Sequence, residues 1–130
     1  MSRATVTIPT GTYAVKPASV AHARHSWAAE RLARWCAADL YLGRLRLEWY
    51  VDPQAASPSA KRRELRGYVN DDEPNVLYVR ADQSELETLR SVAHEAYHQY
   101  EYREGRPLNE QAAEAYGQRV AADYLARRLR

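Results

Sequence analysis

The chain has 130 residues, is 45% hydrophobic and carries a formal net charge of +2, a balance that suits one domain with one core and does not require nucleic acid as a partner. Its single cysteine, Cys36, excludes an internal disulfide and reads as a small buried hydrophobe rather than a metal ligand. Met1 to Pro9 lack the apolar run of a signal peptide and no later stretch approaches the roughly 18 apolar residues of a membrane span, so the expected address is the cytoplasm.

In chain order, residues 1–16 are Thr-rich and bounded by Pro9, Gly11 and Pro17, the pattern of a loosely held arm with at most a brief edge strand. A helix is expected from Ala18 or Ser19 to about Leu42, with Ser19 as N-cap and Gly43 as stop. Val20, Trp27, Ala28, Leu32, Trp35 and Cys36 give it an apolar stripe, while Arg24, Arg31 and Arg34 are solvated or pair with Glu30. His22 and His25 lie three apart on this helix but have no acidic or Cys partner at metal spacing, so they read as surface histidines.

Leu45, Leu47, Trp49 and Val51 alternate with Arg44, Arg46, Glu48 and Tyr50, the period of a half-buried strand. Asp52 to Ala60, with Pro53 and Pro58, is a loop. Leu65 to Val69 and Val76 to Arg80 bracket the turn-rich hexapeptide Asn70-Asp71-Asp72-Glu73-Pro74-Asn75 and read as a hairpin. A three-stranded, mainly antiparallel sheet follows, and the fold class is α+β. The acidic turn lacks the Gly and distal Glu of an EF-hand loop and reads as a solvated turn. The 10 tyrosines, in a chain without Phe, are expected as core aromatics with hydroxyls at the boundary.

The next helix carries the chemistry. Ser84-Glu85-Leu86-Glu87 is a capping box at its start, and Gly105 followed by Pro107 ends it near Glu104. Leu86, Leu89, Val92, Ala93, Ala96 and Tyr100 share the face away from His94. His94, Glu95 and His98 spell H-E-x-x-H. Residues four apart on a helix differ by about 40° in direction and about 6 Å in height, so both imidazoles can reach one ion. Glu95, about 100° further round, falls beside the ion, where a general base for an activated water belongs.

A catalytic zinc site needs three protein ligands and one open position. Asn109 can cap a second helix from about Glu110 to Leu129, on which Glu110, Ala113, Glu114, Gly117, Ala121 and Tyr124 share a face. The Gly and Ala positions permit the close approach that a ligand on a second helix requires. Glu110 is the expected third ligand, with Glu114 one turn on as acceptor for an imidazole N–H. Glu101, about 20° from the His94 direction, is a fallback ligand and Glu104 a weaker one. The closing cluster Arg127-Arg128-Leu129-Arg130 complements the dipole at a helix C-terminus.

His94-Glu95-x-x-His98 followed by Asn109-Glu110-x-x-Ala113-Glu114 resembles the gluzincin zinc peptidases, whose second motif is N-E-x-x-(Ser/Ala)-(Asp/Glu). The short linker, and Glu110-x-x-Ala113-x-x-Tyr116-Gly117 read against E-x-x-A-N-x-F-A, make it most similar to the compact ImmA/IrrE-type metallopeptidases. The sequence departs from that pattern at Glu114, usually Asn there, and at Tyr116-Gly117, usually Phe-Ala. A metzincin would continue with Gly and His, but the corresponding positions after His98 are Glu101 and Glu104.

The resemblance implies a minimal zincin-like domain holding one zinc through His94, His98 and Glu110. It also implies an edge strand, Val76, Leu77 and Tyr78 here, on which an extended peptide lies. The expected activity is that of a zinc endopeptidase with Glu95 as general base. Tyr102 or Tyr124 is available to stabilise the oxyanion. By the same resemblance the substrate is a regulatory protein, often a transcriptional repressor. Two alternatives are a non-catalytic, zinc-stabilised peptide-binding domain, and an interaction domain in which the two histidines are incidental.

Overall fold

In the computed structural model, residues 4–8, 11–51 and 65–128 are described. The expected loop at 52–60 and the end of the basic tail at 129–130 lie outside them. The elements run β1 (Ala4–Ile8), β2 (Gly11–Ala18), a 3-10 turn (Val20–His22), α1 (Ser26–Asp39), β3 (Arg46–Val51), β4 (Gly67–Tyr68), β5 (Val76–Arg80), α2 (Glu85–Arg103) and α3 (Glu110–Arg128).

The fold is α+β, but the sheet has five strands in the order β1-β2-β3-β5-β4 and is mixed, not the three-stranded antiparallel sheet expected. The first difference is the arm. Residues placed in a loose arm form a β1–β2 hairpin, and β2 continues the sheet by antiparallel pairing with β3, Lys16 opposite Val51. The second is direction: β3 and β5 are parallel, in register from Arg46↔Val76 to Tyr50↔Arg80. The third is position. Val76, Leu77 and Tyr78 were expected on an open edge, yet β5 lies inside the sheet, with β3 on one side and two-residue β4 on the other.

Alternation along the strands sorts two cores. Leu47 and Trp49 of β3, with Leu77 and Val79 of β5, join the helices in the main cluster, against Ala29, Leu32, Leu89, Val92 and Ala96. The opposite face is not solvated as expected. Tyr50, only 2% exposed, joins Tyr13, Val15, Leu65 and Tyr68 in a second cluster. Tyr68 stacks on Tyr78 at 4.5 Å between ring centroids.

Helix α1 is shorter than expected at both ends. Ser19 caps only the 3-10 turn, its hydroxyl 2.7 Å from His22 Nδ1. The chain then leaves helical geometry as Ala23 buries in the main core and the Arg24 N–H reaches the Ala81 carbonyl, 3.4 Å away. At the other end the helix closes before Gly43, with Tyr41 in the left-handed region at φ 55° and the Leu42 N–H bonded to the Ala37 carbonyl at 2.9 Å. This is a Schellman closure on a non-glycine residue. The apolar stripe also divides: Ala28, Leu32 and Cys36 are buried, while Trp27 and Trp35 are exposed. Burial pushes the Cys36 thiol up to about 12, only partly offset by the nearby Tyr116 hydroxyl, which fits an inert core residue.

Helix α2 begins as expected, Ser84 Oγ accepting the Glu87 N–H at 3.2 Å, but the Glu87 carboxylate turns outward to Arg66 at 3.1 Å. It ends in a second Schellman motif on Gly105, φ 67°, with the Arg106 N–H on the Glu101 carbonyl at 2.9 Å. Asn109 Oδ1 caps α3 by accepting the Ala112 N–H at 3.0 Å. Helix α2 packs against α1, α3 and β5, so its ligand face is presented to α3 and its apolar face to the sheet. Among the described residues no helix is long and apolar enough to cross a membrane.

Candidate metal centre

The contact between α2 and α3 is made by small residues. Ala113 and Ala121 are fully buried, and a Cβ added at Gly117 would stand 2.8 Å from the Arg90 carbonyl oxygen and 3.5 Å from the His94 nitrogen. Only glycine lets the backbones meet at that height. The consequence is reach, because two short carboxylate side chains on α3 now touch imidazoles on α2.

One oxygen of Glu110 lies 2.9 Å from His94 Nε2 and the other 3.1 Å from His98 Nε2. The ligand atoms of His94, His98 and Glu110 all fall within 4.8 Å of one another, and this is the only such group of three among the described residues. His22 and His25 belong to no such group. The three expected ligands are therefore brought together by tertiary contact.

Each histidine has its own carboxylate on Nδ1. Glu114 Oε1 is 3.2 Å from His94 Nδ1, as expected, and its other oxygen takes the Arg90 guanidinium at 2.8 Å. Burial alone would raise the Glu114 carboxyl, but Arg90 and His94 outweigh it and hold it below the usual carboxylate value. For His98 the partner is Glu101, at 2.8 Å from Nδ1, with both side chains almost completely buried. The other Glu101 oxygen accepts the backbone N–H of Asn109, at 3.0 Å. Glu101 is thus not a ligand in waiting. It ties His98 to the cap residue of the helix that begins with Glu110. The signal for this role was an H-x-x-E spacing on one helix face, which fits a ligand and a ligand's partner equally well.

A cation fits these residues. Each Nδ1 faces its own carboxylate while both Nε2 atoms face Glu110, so a cation set among them would take the two Nε2 lone pairs and a Glu110 oxygen, with Nδ1 of each ring donating to Glu114 or Glu101. The buried Nε2 of His98 has no hydrogen-bond partner, although Glu110 stands close by. That contact is close but lacks hydrogen-bond geometry, and buried polar atoms without partners are rare. Two nitrogens and one carboxylate, with Glu110 68% exposed, leave an open side.

Glu95 is buried beside this group, and a Cβ added at Gly67 of β4 would stand 3.0 Å from its Cγ and 3.2 Å from its Oε2. The proximity of β4 to the general-base candidate was not anticipated, and a glycine within a strand is the sequence cue for such an approach. Burial, reinforced by the Glu110 carboxylate, pushes the Glu95 carboxyl well above its ordinary value. Tyr102 is half-buried and lines a pocket with Asp71, Asn75 and Gln99, and its hydroxyl is pushed up by burial and then by the carboxylates of Asp71, Glu95, Glu101 and Glu110.

Two expected residues take other places. Tyr124 lines a groove between α1 and α3, fourteen residues beyond Glu110 and so about 21 Å further along the helix. Glu104 is the exposed C-cap of α2. No protein-family model, no curated protein and no solved structure matches this chain.

Proposed function

We propose that the chain is a zinc-dependent endopeptidase of gluzincin type, most similar to the compact ImmA/IrrE-type enzymes, acting in the cytoplasm on a regulatory protein. The observation that carries the reading is the convergence of His94, His98 and Glu110 within 4.8 Å beside a buried Glu95. His94, His98 and Glu110 would hold one zinc ion, which when bound supplies the Lewis acidity that acidifies a water and polarises a carbonyl.

The chain's own groups do the rest. Glu95, whose surroundings raise its proton affinity, accepts a proton from the attacking water and returns it to the departing amine. Glu101 and Glu114 hold the two rings in the tautomer that turns Nε2 inward. Tyr102 donates to the oxygen on which charge develops. The substrate strand is assigned to β4 in place of β5. Its one partner among the described residues is β5, and its Gly67 places an added main chain next to Glu95.

Elemental analysis of purified wild type and Glu110→Ala comes first. One equivalent of zinc in wild type, lost in the variant, is expected. Zinc-loaded wild type should then release new α-amino groups from an unfolded protein such as β-casein, and Glu95→Gln should not. Zinc binding without hydrolysis by any preparation would replace the peptidase with a zinc-stabilised binding domain, and no zinc in wild type would end both.

A further inference from the structure

The groove between α1 and α3 takes no part in the proposed reaction. It encloses about 520 Å³, within the roughly 300–1,000 Å³ of small-ligand sites. Its floor is apolar, formed by the buried Leu32 and Val120. Trp27 and Trp35, two turns apart on α1, make one wall with 67% and 44% of their surface exposed, and Tyr124 stands opposite. Scattered exposed apolar residues are ordinary. Two tryptophans and a tyrosine around one apolar floor are not.

The groove is also net basic. Arg31 and Arg34 of α1 and Arg127 of α3 line the groove, against the single carboxylate of Asp123. Four arginines elsewhere are matched, in Arg46–Glu48, Arg66–Glu87, Arg80–Asp82 and Arg90–Glu114, whereas Arg106 and Arg119 rest on tyrosines instead. Among the described residues no carboxylate lies within ion-pair distance of these three. Arg31 instead lies over the Trp27 ring, 4.8 Å from its centroid. Trp, Tyr and Arg are the residue types that dominate binding energy at protein interfaces.

We propose that this groove docks an acidic peptide segment carrying a large apolar side chain. The apolar group would settle on Leu32 and Val120 between the tryptophans, with carboxylates on either side meeting Arg31, Arg34 and Arg127. Single-stranded nucleic acid could stack on the same rings, but Asp123 within the lining opposes a phosphate backbone and the chain is only mildly basic overall. Val120 is ten residues from Glu110, about 15 Å along α3, so an occupant leaves the metal centre open. The inference stands whether or not the centre is catalytic.

The test pans a phage-displayed library of random dodecapeptides against the full chain and against the variant carrying R31E, R34E and R127E. Peptides recovered on wild type should share Asp or Glu flanking Leu, Phe or Trp. Synthesised and titrated, they should blue-shift tryptophan emission and bind the triple variant, and separately Trp27→Ala/Trp35→Ala, at least about tenfold more weakly. Both variants replace exposed side chains and should keep the wild-type circular dichroism and metal content, which separates lost docking from lost fold. Peptides without an acidic pattern, binding unchanged in well-folded variants, competition by oligo-dT, or occupation of the groove by a second copy of the chain would each overturn the proposal.

Discussion

Helix α3 has two seams, and they are opposites. Toward α2 it offers Ala113, Gly117 and Ala121, all buried, and the helices close until carboxylates touch imidazoles. Toward α1 it offers Val120, Tyr124 and Arg127 against Trp27 and Trp35, and the seam stays open as a groove. Side-chain size along one helix therefore decides which seam is a finished site and which remains a surface. Close approach buries the imidazole side of these contacts while the Glu110 and Glu114 carboxylates stay 68% and 49% exposed.

The most damaging way to break the contrast is to wedge the closed seam. Gly117→Leu places a side chain where a Cβ already meets the Arg90 carbonyl at 2.8 Å. Overpacking of this kind costs about 1–3 kcal/mol, and thermal melts should show that loss together with loss of zinc binding. An unchanged melting temperature would mean that the helices are not in contact at that height.

Next in size is the effect of Glu95→Gln, which should lower hydrolysis by about 10²–10⁴-fold while zinc is retained. The same substitution should stabilise the metal-free protein near neutral pH. Because the folded carboxyl titrates above its ordinary value of 4.5, its contribution to stability is fully present below that value and is lost as pH rises through the folded one. The gap in melting temperature between variant and wild type should accordingly open with rising pH. A constant gap would remove the buried-acid assignment.

The two imidazole partners sharpen the comparison within the closed seam. Glu101 is 4% exposed and Glu114 49%. Changes to such ligand partners cost about 10–100-fold in metal affinity. Glu101→Gln should fall at the upper end in a chelator competition and Glu114→Gln at the lower, where water can replace the lost oxygen. Equal losses would show that burial does not set their ranking.

The smallest effect belongs to the open seam. Trp27→Ala, at a position 67% exposed, should shift folding stability by no more than about 0.5 kcal/mol in urea unfolding. A larger loss would mean that the groove wall is part of the core.

Much of the centre was legible because its information is local. The H-E-x-x-H spacing, the Ser84 and Asn109 caps and the Gly105 stop act within one or two helical turns, and each appears where it was expected. Small residues on one face of α3 announced a close contact even before its partner was known. Glu101 was visible only as a carboxylate near a histidine. Whether it faces an ion or the ring's other nitrogen depends on where the Asn109 N–H lies, and that is set by the turn between two helices.

The sheet was less legible because strand pairing is a contact between distant residues. The β1–β2 hairpin has the polar, Thr-rich look of an arm until β3 supplies its partner, and nothing in Val76–Arg80 tells whether its neighbours run parallel or antiparallel. Likewise the periodicity put Trp27 and Trp35 on one apolar stripe with Ala28, Leu32 and Cys36, but α1 buries only the last three and leaves both tryptophans exposed. The sequence by itself determined which helices form, how α2 and α3 begin, where α2 ends, and which imidazoles and carboxylates share a face, because those follow from interactions within a few residues. The tertiary structure alone decided which strand lies beside Glu95, which carboxylate steadies each histidine and which tryptophans stay in water, because each depends on how closely distant segments approach.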